Sequence, residues 1–147
     1  MPWIAIGEDD VLTVLSGKEL DAYRAAALAE GQPDPVIAVI AQVVDLVRGY
    51  VGAWSGNVLG EGNTIPSKLL ATALDLISVR IPQRVGRDPK QVRKDAAASA
   101  ITLLEQVAAG KFNIESPATP AAELSYSPRP KISRPTRRFS RADEDGL

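Results

Sequence analysis

Between Pro35 and Val51 apolar side chains recur every three or four positions for seventeen residues. Ile37, Ile40, Val44, Val47 and Val51 form one stripe, and Val36, Val39, Val43, Leu46 and Tyr50 form a second beside it. On a helical period the two merge into one wide apolar arc, with Gln42, Asp45 and Arg48 opposite among Ala38, Ala41 and Gly49. The β-branched content suits strands, but period-two alternation fails, and strands rarely exceed about ten residues. The spacing therefore predicts a central helix. Asp34 followed by Pro35 gives it an N-cap and a proline at the first helical position.

The flanking sequence is punctuated in the same way. Glu8 to Leu15 is a short helix candidate with Asp9 and Asp10 in its first turn, where carboxylates suit the helix dipole. Gly17 interrupts it. Ser16 stands three before Glu19, a capping-box spacing that opens a second helix through Ala29, ended by Gly31. Gly49, Gly52, Gly56, Gly60 and Gly62 mark a loop that carries Trp54 and reads as a flexible surface connection. Beyond Pro66, the residues Leu69, Leu70, Ala73, Leu74, Ile77 and Ile81 trace another helical face, which Pro82 is expected to stop. Asp88-Pro89 repeats the cap-then-proline signature for a helix to Ala109. It is capped by Gly110 and buries Ala96, Ala97, Ala100, Leu103, Leu104 and Val107. The expected fold is all-α: a bundle of four to five helices over residues 1–110, followed by an extended arm over 111–147.

Residues 117–135 carry Pro117, Pro120, Pro128, Pro130 and Pro135, which forbid a helix over most of that length. Phe112, Ile114, Leu124, Tyr126, Ile132 and Phe139 are too sparse for a core of their own.

Composition narrows the chemistry. The 147 residues suit a single domain, and no apolar run approaches the roughly 20 residues that span a bilayer. Cysteine and histidine are both absent. That removes disulfide scaffolds, zinc-thiolate and imidazole metal sites, thiol nucleophiles and Ser–His–Asp triads. Carboxylates, lysines, tyrosines and hydroxyls remain, so an enzyme using Asp, Glu and Lys alone stays possible, but no convergent pair of them nominates an active site, and no catalytic residue or cofactor is assigned. The net charge of −1 hides a split. Residues 1–110 hold ten basic and thirteen acidic side chains, net −3, whereas 111–147 hold seven and five, net +2.

Candidate sites follow from that split. Gly60-Glu61-Gly62 lacks the spacing and the preceding strand of a phosphate-cradling loop. Glu8-Asp9-Asp10 and Asp143-Glu144-Asp145 lack the alternating ligands of a calcium loop, and no metal site is assigned. Arg80, Arg84, Arg87, Lys90, Arg93 and Lys94 crowd the turn between the last two helices, a solvated face or a surface for nucleic acid or an acidic partner. Arg129, Lys131, Arg134, Arg137, Arg138 and Arg141 form a basic block with no acid between them, near Tyr126, Ile132 and Phe139. These arm residues are the candidate partner-binding set. Trp54, Arg84, Arg87 and Arg93 are candidates for contacts between subunits or with a channel, and Trp3 suits either core edge or interface.

Four short features in order give the chain a family likeness. They are Gly7-Glu8-Asp9-Asp10-Val11, Ile65-Pro66-Ser67-Lys68-Leu69 opening a helix that ends near Arg80-Ile81-Pro82, a closing helix from Asp95 to Leu104 with Ala109-Gly110-Lys111, and a terminal Arg138-Phe139-Ser140-Arg141. In this the chain resembles the head–tail connector (adaptor) proteins of tailed bacteriophages. The resemblance implies a structural virion protein at the neck, forming a homo-oligomeric ring of about twelve copies. The ring would lie below the portal protein, link it to a stopper or tail protein, and enclose double-stranded DNA without sequence-specific binding and without a membrane. It further implies that the arm reaches the portal or a neighbouring subunit. The acidic Asp143-Glu144-Asp145-Gly146-Leu147 and the long Pro117–Pro135 stretch depart from the pattern. The alternative is a small helical nucleic-acid-binding protein that uses the basic arm, with a packaging or regulatory role.

Overall fold

A computed structural model describes residues 2–27 and 32–118. The expected end of the second helix at Ala29 and Gly31, and the arm from 119 onward, lie outside the described residues. The elements run β1 (Trp3–Ile4), α1 (Glu8–Val11), α2 (Gly17–Ala26), α3 (Pro35–Ala53), β2 (Ile65–Pro66), a 3-10 turn (Ser67–Leu69), α4 (Leu70–Arg84) and α5 (Gln91–Ala108). The all-α class holds. The two strands form a single antiparallel pair with Trp3 opposite Pro66 and Ile4 opposite Ile65.

Local chemistry accounts for the starts of α2 and α3. Ser16 caps α2 through a capping box: its Oγ accepts from the Glu19 N–H at 3.3 Å, and its own N–H donates to Glu19 Oε2 at 3.0 Å. Ser16→Ala is expected to lower stability by about 1 kcal/mol, read as a shift in the urea midpoint. Asp34 caps α3, its Oδ1 accepting from the Val36 N–H at 2.9 Å, with Pro35 at the first helical position. The signature at Asp88-Pro89 misplaced the start of α5, which begins at Gln91 with Lys90 as N-cap. Asp88 is drawn instead to Lys94 Nζ at 2.7 Å.

Pro82 does not stop α4. The helix continues through it to Arg84. Proline has a helical φ, so the chain can continue through it at the cost of the bond to the Ser78 carbonyl and the ring's crowding of that carbonyl. The ending is set two residues further on by a Schellman motif. The Arg87 N–H donates to Pro82 O at 2.9 Å, the Gly86 N–H donates to Gln83 O at 3.1 Å, and Gly86 takes φ +75°. The same motif closes α5, with Lys111 N–H to Gln106 O at 2.9 Å, Gly110 N–H to Val107 O at 3.0 Å and Gly110 at φ +72°.

Helices α3, α4 and α5 pack mutually, with α1 against α4 and α2 against α3. The six-residue turn between α4 and α5 makes them antiparallel neighbours. Pro35 lies beside Arg84 and Val85, and Ala53 beside Ala108, so α3 runs against α4 and along α5. The central helix is α4 rather than α3, since Thr72, Ala73, Leu74, Leu76, Ile77, Ser78, Val79, Ile81 and Pro82 are all buried. In α3 the buried set is narrower than the sequence arc. Val36, Val39, Val43, Val47 and Val51 are at most 1% exposed, whereas Ile37 is 64% exposed and Ile40, Leu46 and Tyr50 are half-buried. Contrary to the expectation above, α3 is long and apolar enough to span a bilayer by length and composition. Its valine face is the part held in the core.

The body does not close at Gly110. Ile114 is buried in the core and Phe112 packs on it. Trp3 Nε1 donates to Glu115 O at 2.9 Å, and Ser67 Oγ donates to Glu115 Oε1 at 3.3 Å. Residues 112–115 thus seal the edge formed by β1 and β2.

Candidate interaction surfaces

The expected subunit-contact residues separate to opposite ends of the bundle. Arg84, Arg87 and Arg93 lie where α4 ends and α3 and α5 begin, and Trp54 caps the far end of α3. Nineteen residues of α3 put about 28 Å between them.

At the first end the cations differ in their engagement. Arg93 Nη2 bonds Glu19 at 3.1 Å and is largely buried, so it ties α5 to α2 rather than facing a partner. The Arg87 guanidinium sits 5.6 Å over the Tyr23 ring, a cation–π contact that leaves its outer face open. Arg84 is exposed and edges a cleft of about 330 Å³ with Ala26, Ala27, Pro33 and Pro35. Among the described residues Arg80, Arg84, Arg87 and Lys90 pair with no carboxylate.

Beside them is a network that sequence spacing does not reveal. Arg24 on α2 holds both oxygens of Glu8 at 2.8 and 2.9 Å and reaches Asp34 Oδ2 at 3.0 Å. It thereby joins the first turn of α1 to the N-cap of α3. Glu8 is thus engaged in an ion pair, and the described residues contain no cluster of metal-ligating side chains.

The Arg24 hydrogen bond holds the Glu8 carboxyl below the usual glutamate range, and Arg24 in turn is pushed upward by Glu8 first and Asp34 second. The Ser16 backbone N–H lowers Glu19, with Arg93 adding to it. Both glutamates therefore favour the folded state above the unfolded value of about 4.3, and that contribution is lost as pH falls through their lower folded values. Asp75 behaves in the opposite sense, because burial pushes it up. Its charging opposes folding as pH rises past its unfolded value of about 3.9. Asp75→Asn is expected to raise stability at pH 7, since it removes the charge that burial disfavours. The gain should vanish near pH 3, as read from thermal midpoints at the two pH values.

At the other end Trp54 is 43% exposed and lies flat between two glycines. A Cβ on Gly110 would meet its ring at 2.6 Å, and one on Gly56 would meet Nε1 at 2.4 Å. The glycine-rich loop here is tied down rather than flexible. Arg48 donates to Thr64 O at 2.6 Å and to Gly60 O at 2.9 Å, and stacks 5.9 Å from the Trp3 ring centroid. Asn57 Nδ2 donates to Val51 O at 3.0 Å. The loop aims carbonyls at an arginine of its own helix, which is not how a phosphate cradle is built. Trp3 is accordingly a core-edge residue, pressed on Gly60 and bonded to Glu115.

A third feature had no signal in the sequence beyond an over-wide apolar arc. Leu46, Gly49, Tyr50 and Ala53 of α3 and Ala108 of α5 line a groove of about 470 Å³, with Asp45 as its one charged residue. The candidate arm residues Tyr126, Arg129, Lys131, Ile132, Arg134, Arg137, Arg138, Phe139 and Arg141 lie outside the described residues. A search of protein-family models and of curated proteins finds no match to this chain.

Proposed function

We propose that the chain is a structural adaptor of the phage-neck kind. Copies form a ring below a portal protein, pass its channel on to a stopper or tail protein, and enclose duplex DNA without reading its sequence. The observation that carries this reading is the division of the chain. The described core takes in its last buried residue at Ile114. The sequence from 119 onward then adds six cations between Arg129 and Arg141 with no intervening acid, and four prolines. Cations on a segment with so few apolar residues cannot build a core of their own, which leaves them available to a partner. The order of the four family-like features supports the same reading.

Arg80, Arg84, Arg87 and Lys90 favour the nucleic-acid alternative, because they stand without carboxylate partners among the described residues. Salt dependence separates the two readings. Six phosphate contacts would give a log–log slope of about −5 for duplex binding. An arm seated on protein through Tyr126, Ile132 and Phe139 gives a much shallower slope for portal binding. A steep slope on duplex DNA, together with no portal complex, would replace the adaptor reading with the alternative.

A further inference from the structure

We infer that the groove between α3 and α5 is a docking site for the chain's own proline-rich segment, residues 126–135. This goes beyond the adaptor reading and concerns the free chain: Tyr126 and Ile132 cannot occupy the groove and a portal at once, so portal binding must displace the docked segment. The groove has the chemistry that extended proline-rich peptides select. It is shallow, with an aromatic face in Tyr50 and an aliphatic one in Leu46 beside the small Gly49, Ala53 and Ala108, which leave room for a main chain to approach. A Cβ placed on Gly49 meets nothing within 4 Å, so the space above it is open. The segment reads Tyr-Ser-Pro-Arg-Pro-Lys-Ile-Ser-Arg-Pro, and its three prolines favour the polyproline II form that loses little entropy on binding.

Charge and reach agree. Asp45 is exposed at the groove and pairs with no cation among the described residues. The segment supplies Arg129, Lys131 and Arg134 and has no acid. The last described residue, Ala118, borders a cleft with Trp3, Gly60 and Thr64, the residues that Arg48 holds. It therefore leaves the body beside the same turn of α3 that carries Gly49. Eight residues from Ala118 to Tyr126 extend up to about 26 Å. That exceeds the roughly 10–12 Å thickness of the helix they must pass.

The absence of cysteine makes the test clean, since Ser133→Cys in the full chain takes a single nitroxide label. The label is expected to broaden the amide resonances of Gly49, Ala53 and Ala108 independently of protein concentration. Gly49→Leu fills the groove from an unstrained position and should abolish the broadening while melting no lower than the parent. Ala53→Lys repels the segment's cations and serves as a second blocking variant. Asp45→Asn should reduce the docked-to-undocked ratio about two- to fivefold, as for an exposed ion pair. No broadening, or broadening that survives both blocking variants, would overturn the inference. So would broadening seen only from labelled onto unlabelled copies, since that would seat a second chain's segment in the groove.

Discussion

Ending the chain after Gly110 rather than after Ala118 lowers the stability of the body by about 3–5 kcal/mol. The 1–110 chain lacks Ile114, which is buried in the core, and Phe112, which packs on it. It also strips the Trp3 indole N–H of the Glu115 carbonyl and leaves the β1–β2 edge uncovered. The 1–118 chain keeps all of these. Urea unfolding followed by helical circular dichroism checks this. The 1–118 chain should unfold close to the parent's midpoint, short only of what the docked segment adds, and the 1–110 chain well below it. Equal midpoints would mean that residues 112–115 rest on the body without supporting it. Ile114→Ala in the full chain should reproduce at least about 2 kcal/mol of the loss.

Gly110→Ala should cost about 2–4 kcal/mol, far more than an alanine at an ordinary helix C-terminus. Two penalties combine there. The residue sits at φ +72°, where L side chains are strained, and its new Cβ would lie 2.6 Å from the Trp54 ring. Gly86 provides the internal control. It has φ +75° and the same capping role on α4, but a Cβ there meets nothing within 4 Å. Gly86→Ala should therefore cost only the backbone strain, about 1 kcal/mol. In a Trp54→Ala background the two alanine substitutions should cost the same. A Gly110→Ala cost that stays larger without Trp54 would show that the ring is not what the glycine accommodates. The comparison also bears on function, since it separates the packing of the exposed Trp54 from any contact it makes with a partner.

Much of this architecture was legible where the cause is local. The stripes in Pro35–Val51, the Ser16–Glu19 capping box and the glycine after Ala109 each act within one or two helical turns. The structure has them where the spacing put them, although α3 buries a narrower face than the stripes suggested. What the sequence did not reveal depends on which elements meet. Arg48 reads as a polar residue on the outer face of α3, and only the folded chain shows it holding Gly60 and Thr64. Arg24 and Glu8 are sixteen residues apart, and their pairing follows from how α1 meets α2. Ile114 and Phe112 looked too sparse to matter because their burial comes from a core already built by other elements. Pro82 was overvalued as a terminator. A proline near a helix end forfeits one bond, and the nearby Gly86 determines where the helix closes. Of the candidate site residues, Arg84 and Arg87 share one surface and Arg93 is taken up by Glu19. Trp54 lies at the opposite end, and the arm's residues are beyond what the structure describes.

The central claim is that the chain assembles on a portal through the segment beyond its body. Gel filtration with light scattering tests it most directly, on the full chain and the 1–118 truncation, each mixed at low and moderate salt with the portal rings that the proposal calls for. The account predicts a salt-tolerant complex carrying many copies per portal ring with the full chain, and none with the truncation. No complex with the portal, together with salt-sensitive binding of the full chain to duplex DNA, would contradict it.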